Sequence, residues 1–304
     1  MQVRRRCSGR PLSLLCNMGF PPGWLLRSAY GLSPSKIAPA DLIVSAGAET
    51  LGASIAISRL TGAPNIFYGT LRSYSQEALR LVLTSYPSHA NRPRHVMVLK
   101  PSALSREALA CRPDRLLPGA VPHTLGLLMG GDSGECWFAA EDWAKLMDFV
   151  EHSHRALGVR WLISNSRRTP ACVSDDIAAR AAAGTAAIAA FIDVRRAGHG
   201  TLRGVLEQAQ AIVCTDDSST MISECISAGL AVVGVRPRRT VLKSGEQGYR
   251  SYLSDNGWYR SIAISDLAPG RLLDELALIR PLTEDPLDQL AGVVRENLPE
   301  LFAA

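Results

Sequence analysis

Short apolar runs alternate along the chain with stretches in which apolar residues recur at helical spacing. That alternation is the pattern of a parallel sheet with helices on its faces. In the first part, ADLIVSAG (40 to 47) reads as a buried strand, and the stretch after Gly47 reads as a helix through Leu60. APNIFYG (63 to 69), LRLVLTSYP (79 to 87) and RHVMVLK (94 to 100) read as further strands, with Pro87, Pro93 and Pro101 as breakers. The proline-rich CRPDRLLPGAVPH (111 to 123) is the expected domain boundary, giving a first domain over 1–120, a second over 121–285 and a C-terminal helix over 286–304.

In the second part, TLGLL runs into Gly130-Gly131-Asp132-Ser133, and Trp143, Leu146, Met147 and Val150 then fall on one face of a helix. VRWLISNSRRTP (159 to 170) is a strand ending in polar groups and stopped by Pro170. Ser174-Asp175-Asp176 is expected to cap the next helix, because a hydroxyl and acids suit exposed amides and the helix dipole. AAIAAFID (186 to 193) reads as a strand and LRGVLEQAQ (202 to 210) as a short amphipathic helix. AIVCTDDSSTMISECISAGLAVVGV (211 to 235) reads as strand, hydroxyl-rich turn, helix and strand. RPRRTVLKSGEQGYRSYLSDNGWYR (236 to 260) reads as a long basic, polar excursion, and the tail from Asp285 as helix. No internal repeat is visible, and the expected class is α/β with two domains built on parallel sheets.

Composition narrows the picture. At 304 residues with 47% hydrophobic residues, the chain can bury a core and has room for about two domains. Its seven cysteines form no CxxC pair, which speaks against a disulfide framework or a zinc knuckle and for a reducing, cytoplasmic home. The apolar run in MQVRRRCSGRPLSLLC is broken by Asn17 and Pro21-Pro22, so no secretory signal is expected. No segment approaches the roughly 20 apolar residues that span a bilayer. The net charge of +5, mostly arginine, suits anionic lipid or phosphorylated ligands. The basic residues lack interleaved aromatics, so nucleic acid is not an expected partner.

Three strand ends carry polar loops, GGDSGE, SNSRRTP and TDDSSTM, and in an open parallel sheet such loops gather along one rim where ligands bind. Gly130 and Gly131 let amides approach an anion, with Asp132 and Ser133 beside them. Arg167 and Arg168 can grip phosphate oxygens, with Ser166 and Thr169 as short donors. Asp217, Ser218, Ser219 and Met221 open the helix that carries Glu224, whose carboxylate can accept two hydrogen bonds from a ribose diol. The set suits a nucleotide with a diphosphate. No metal is expected, since Asp216 and Asp217 would point opposite ways along a strand. His152 and His154 diverge on their helix, His199 is a weak cleft candidate, Cys214 and Cys225 read as core thiols, and Trp137, Trp143, Trp161 and Trp258 as packing residues.

In that order and spacing, TLGLLMGG, WLISNSRRTP and IVCTDDSSTMISECISAGLAVVGV resemble the elongated-mitochondria type of mitochondrial fission family, which itself looks like the GT-B superfold of glycosyltransferases. The resemblance implies two Rossmann-like domains and a metal-independent transferase holding a nucleotide sugar in the second, with no cofactor. Gly131, Arg168, Ser218 and Glu224 match the donor-binding positions. Glu49, in SAGAET, is the candidate general base of the first domain. Family members begin with a strand and glycine turn that have no counterpart before residue 40, so a first domain shortened at its start is expected. The alternative is a non-catalytic interaction platform at a membrane surface, where Arg236, Arg238, Arg239 and Lys243 would meet anionic lipid.

Overall fold

The computed structural model describes residues 4–109, 116, 119–198 and 201–302. The chain divides between Leu99 and Lys100 into two compact units, and the residues from Leu290 onward belong with the first. Most of the proline-rich passage at which the sequence suggests a boundary lies outside the described residues, as do His199 and Cys111.

The first unit opens with helices α1 (Gly9–Asn17) and α2 (Pro22–Leu25), the latter continuing as a π-helical turn over Leu26–Tyr30. A four-stranded parallel sheet follows, in the order β1 (Ile43–Ala46), β2 (Asn65–Tyr68), β3 (Leu81–Thr84) and β4 (His95–Met97). Helices α3 (Leu51–Thr61) and α4 (Pro87–Ala90) connect its strands. All four strands and α3 lie where the apolar runs place them, but β1 is not the buried strand expected: it is the edge of its sheet, and Val44 is 69% exposed. No strand precedes β1 among the described residues. Leu12, Leu25, Leu26 and Tyr30 pack with Leu51, Ile55 and Phe67 into one core.

The second unit is built on six parallel strands in the order β12-β10-β9-β5-β7-β8 and a small antiparallel pair, β6 with β11. In chain order its elements are β5 (Thr124–Leu128), β6 (Cys136–Trp137), α5 (Ala140–Leu157), β7 (Arg160–Ser164), α6 (Ala171–Ala182), β8 (Ile188–Ile192) and α7 (Val194–Ala197). Then come α8 (Thr201–Leu206), β9 (Ala211–Thr215), α9 (Ser219–Ser227), β10 (Ala231–Arg236), β11 (Arg239–Thr240), α10 (Ser244–Asp255), β12 (Tyr259–Ala263) and α11 (Pro269–Ala277). The last helix, α12 (Pro286–Asn297), carries Leu290, Val293 and Val294 onto Ile66, Leu81 and Leu83 of the first unit. These contacts place the chain's end with the unit in which it begins. One face of the large sheet is covered by Leu146 and Val150 of α5, Ile177 of α6 and Leu272 and Leu276 of α11, against Leu125, Leu127, Val213 and Val233.

Two expectations are corrected here. Helix α6 starts at Ala171, directly after Pro170, so Ser174 lies inside it. There it is buried and accepts a 2.9 Å hydrogen bond from Asn165 Nδ2, so a side-chain tie to the β7 loop has replaced the capping role. The 236–260 stretch is not an excursion, since it holds β11, all of α10 and the start of β12. Helix α10 buries Tyr249, Arg250 and Leu253, and a buried arginine hides the apolar face that would have marked it.

Candidate functional site

Strands β9, β5 and β7 are neighbours in the sheet, and Leu128 lies level with both Cys214 and Ser164. Their three polar loops therefore meet at one rim, as the parallel topology requires. The loops are tied by short side chains. Thr169 Oγ1 donates toward the carbonyls of Met129 (3.0 Å) and Gly130 (2.6 Å) and accepts from the Ser166 amide at 3.0 Å. Ser166 Oγ accepts from the Arg168 amide at 3.1 Å. Thr215 Oγ1 accepts from the Gly130 amide at 2.6 Å.

The glycine pair faces the protein's own groups. A Cβ on Gly130 would fall 2.2 Å from the Asp217 carboxylate oxygens, and one on Gly131 only 2.1 Å from the Arg168 carbonyl oxygen. The close approach explains both glycines. Gly131→Ala is expected to cost about 1–3 kcal/mol, because a backbone carbonyl cannot swing aside as a side chain can. A urea midpoint equal to the wild type's would contradict it.

The glycine loop does not itself open a helix. Between Gly131 and α5 lies a turn in which Asp132 Oδ1 accepts from the Phe138 amide (2.8 Å) and Ser133 Oγ from the Cys136 amide (3.0 Å). Helix α5 begins only at Ala140, where Asp142 Oδ2 reaches back to the Ala139 amide at 3.1 Å. The rim's helix N-terminus is that of α9, capped by Ser218, whose Oγ accepts from the Met221 amide at 3.4 Å.

Asp217 is the centre of this geometry. Its side chain is wholly buried, with Arg168 Nη2 2.5 Å from Oδ2. Neither oxygen receives a well-directed hydrogen bond. Burial pushes its pKa up, against the opposing pull of Thr215, Arg168 and the Gly131 amide. A carboxyl whose folded pKa exceeds its unfolded value holds its proton more tightly when folded. Its contribution is complete below the unfolded pKa of about 3.9 and is lost as pH rises through the folded one. The stability of the wild type relative to Asp217→Asn is therefore expected to fall as pH rises from about 4. Urea denaturation of both proteins across that range checks it, and a difference that grows with pH would refute it.

Asp216 points elsewhere. Oδ1 accepts from Arg250 Nε at 2.7 Å, its backbone carbonyl accepts from Arg250 Nη2 at 2.7 Å, and Ser261 Oγ lies 3.3 Å from Oδ2. The two neighbouring acids thus serve different partners. Among the described residues no group of three or more His, Cys, Asp or Glu is placed to hold a metal ion.

Glu224 lies on α9, half-buried, and burial alone raises its pKa. Among the described residues its carboxylate has neither an ion pair nor a hydrogen bond. Arg167 is exposed and also without an ion pair among them. Sequence reasoning missed Lys100, whose Nζ donates to Ser219 Oγ at the start of α9 and lies 2.8 Å from Glu246 and 5.0 Å above the Tyr249 ring. Its partners lie more than a hundred positions away, so no local pattern announces it. Glu49, in the first unit, is exposed and paired with Arg5 at 3.0 Å. Cys214 and Cys225 are buried, as core thiols should be, and burial pushes both thiols well up. Trp161 is buried, with Nε1 donating to Ser153 Oγ at 2.9 Å. Trp143 stacks on Phe138 with ring centroids 4.6 Å apart.

The model of the family described as mitochondrial fission ELM1 matches residues 11–298. The chain belongs to this family. No curated protein matches the sequence. Among solved structures, UDP-GlcNAc 2-epimerase from Methanocaldococcus jannaschii is similar at 11% identity and a TM-score of 0.51, over 84% of this chain and 77% of that one. MurG of Acinetobacter baumannii is similar at 15% identity and TM-score 0.44, over 84% and 73% of the two chains. Arabidopsis thaliana UGT89C1 complexed with UDP stands at 14% identity and TM-score 0.46, over 96% and 77%. This ELM1 family member has two Rossmann-like α/β units, each built on a parallel sheet, and shares its fold with that epimerase. No helix among the described residues is long and apolar enough to cross a membrane.

Proposed function

We propose that the second unit binds a nucleoside diphosphate sugar along the rim of β5, β7 and β9, and that the protein transfers the sugar to an acceptor of the bacterial envelope from the cytoplasmic side. Glu224 carries the reading. A half-buried carboxylate without a protein partner costs stability, and a ribose diol offers the two donors it lacks. Arg167, the α9 N-terminus with Ser218 and Ser219, and Lys100 beside it supply positive potential for the diphosphate. In the reaction an acceptor oxygen bonds to the anomeric carbon as the bond to the diphosphate breaks. The departing phosphate oxygen takes the electron pair, and the acceptor proton passes to a carboxylate general base, for which Glu49 is our candidate. No cofactor enters this scheme.

A second reading has its own observation. The Asp217 carboxylate lies against Gly130, and Thr215 already occupies the Gly130 amide, so that donor is spent inside the protein. That arrangement suits a family member that keeps the fold as an interaction platform. In the expected membrane patch at 236–243, Arg238 pairs with Asp142 at 2.5 Å, Lys243 lies 3.6 Å from Glu135 and Arg239 sits over the Trp137 ring at 4.6 Å, while these three and Arg236 stay exposed.

A thermal-shift panel of UDP, GDP, ADP and CMP, with and without their sugars, tests the donor reading, because a ligand of the folded state raises apparent stability. UDP is the first probe, since the similar epimerase is named for a UDP-sugar. A rise of several degrees with one nucleotide is expected. No shift with any of them favours the platform.

A further inference from the structure

The first forty residues contain no Asp or Glu but carry Arg4, Arg5, Arg6, Arg10, Arg27 and Lys36. Arg5 pairs with Glu49, and the other five have no ion pair among the described residues. Within the same stretch four large apolar side chains stand in solvent: Leu14 is 60% exposed, Met18 67%, Phe20 37% and Trp24 50%. Soluble surfaces scatter such residues singly, whereas here they fall within a short run of chain.

Their placement is regular. On α1 the buried residues Leu12, Ser13 and Cys16 face the core. Arg10, Leu14 and Met18 recur at four-residue spacing on the opposite side. On α2 and the π-turn after it, Leu25, Leu26, Ala29 and Tyr30 are buried, while Trp24 and Arg27 are exposed at three-residue spacing. Phe20 and Trp24 join the two outer faces, their ring centroids 5.6 Å apart. The result is an apolar and aromatic ridge with arginines on both helical segments and no carboxylate of its own.

We propose that this α1–α2 ridge docks on an anionic lipid bilayer, with Leu14, Met18, Phe20 and Trp24 entering the headgroup region and Arg10 and Arg27 meeting lipid phosphates. Charge decides the partner. A cationic segment with exposed aromatics and no acid of its own has the composition of interfacial helices, in which Trp and Phe enter the headgroup boundary and Arg binds anionic lipid. Each basic residue near such a surface contributes about 1 kcal/mol, or roughly fivefold in partitioning. The proposal stands apart from the nucleotide reading, because every residue in it belongs to the first unit.

The test is co-sedimentation of the full chain with vesicles of phosphatidylcholine alone and of phosphatidylcholine mixed with phosphatidylglycerol. The wild type is expected to bind the anionic vesicles and to release them as salt rises. The double variants Phe20→Ser with Trp24→Ser, and Arg10→Glu with Arg27→Glu, should each lower partitioning at least about tenfold. Because these side chains are exposed, unchanged melting temperatures should accompany the loss. Arg160→Glu, an exposed position on the second unit, should bind as the wild type does. Failure of the wild type to bind anionic vesicles overturns the proposal, as does equal binding by either double variant. A dimer that these variants render monomeric, with no vesicle binding, would also overturn it by assigning the ridge to a second copy of the chain.

Discussion

Replacing Arg250 by methionine is expected to destabilise the second unit by about 3–5 kcal/mol, because it strands the Asp216 carboxylate in the interior. Asp216 is 1% exposed and Arg250 8%. The guanidinium bonds both the carboxylate and the backbone carbonyl of Asp216, each at 2.7 Å, and reaches Glu246 at 3.0 Å. Methionine fills the volume but leaves one buried charge facing only Ser261. The joint variant Asp216→Leu, Arg250→Met leaves no lone charge there and should recover most of the loss, since burying apolar groups in place of an ion pair is close to neutral. Urea denaturation of the three proteins decides it. A single-variant loss below about 1 kcal/mol would show that water reaches the pair, as it does for surface salt bridges.

Glu224→Ala is expected to weaken nucleotide binding by roughly 10- to 150-fold, the equivalent of about 1.5–3 kcal/mol for hydrogen bonds to a charged group. The fold should not suffer, since removing an unpartnered, half-buried carboxylate relieves its desolvation. A melting temperature equal to or above the wild type's should therefore accompany the lost affinity, and calorimetric titration with the responding nucleotide measures the loss. Unchanged affinity would refute the ribose role. Arg168→Ala is a poorer probe, because it also deprives buried Asp217 of its ion pair. Arg167→Ala changes an exposed cation that has no ion pair among the described residues and isolates the phosphate contribution, expected at roughly five- to tenfold.

The inner strands β5 and β9 were legible because they are buried on both faces and leave continuous apolar runs, TLGLL and AIVCT. Helix α10 was not, because Arg250 sits on its buried face and is buried only by virtue of Asp216, thirty-four positions earlier. The start of α6 was misplaced for a similar reason, since Ser174 looks like a cap until Asn165 is found beside it. At the rim, the meeting of the three loops followed from strand order alone. What the glycines and arginines do there did not, since Gly130 and Gly131 make room for Asp217 and for the Arg168 backbone. Those contacts join loops far apart in sequence, and no local spacing encodes them. The α1–α2 ridge escaped because its apolar residues read as the interrupted core of a targeting segment, and only the fold shows which of them face out.

The most direct measurement of donor binding is hydrogen exchange of the full chain with and without saturating UDP, and with GDP, ADP and CMP in turn. Binding at the rim slows exchange of the amides it contacts or orders. The expected result is protection confined to 129–133, 165–169 and 217–225 with one of these nucleotides, and its loss in Glu224→Ala. Protection that appears elsewhere, or in none of those segments with any nucleotide, would contradict a donor site on this rim.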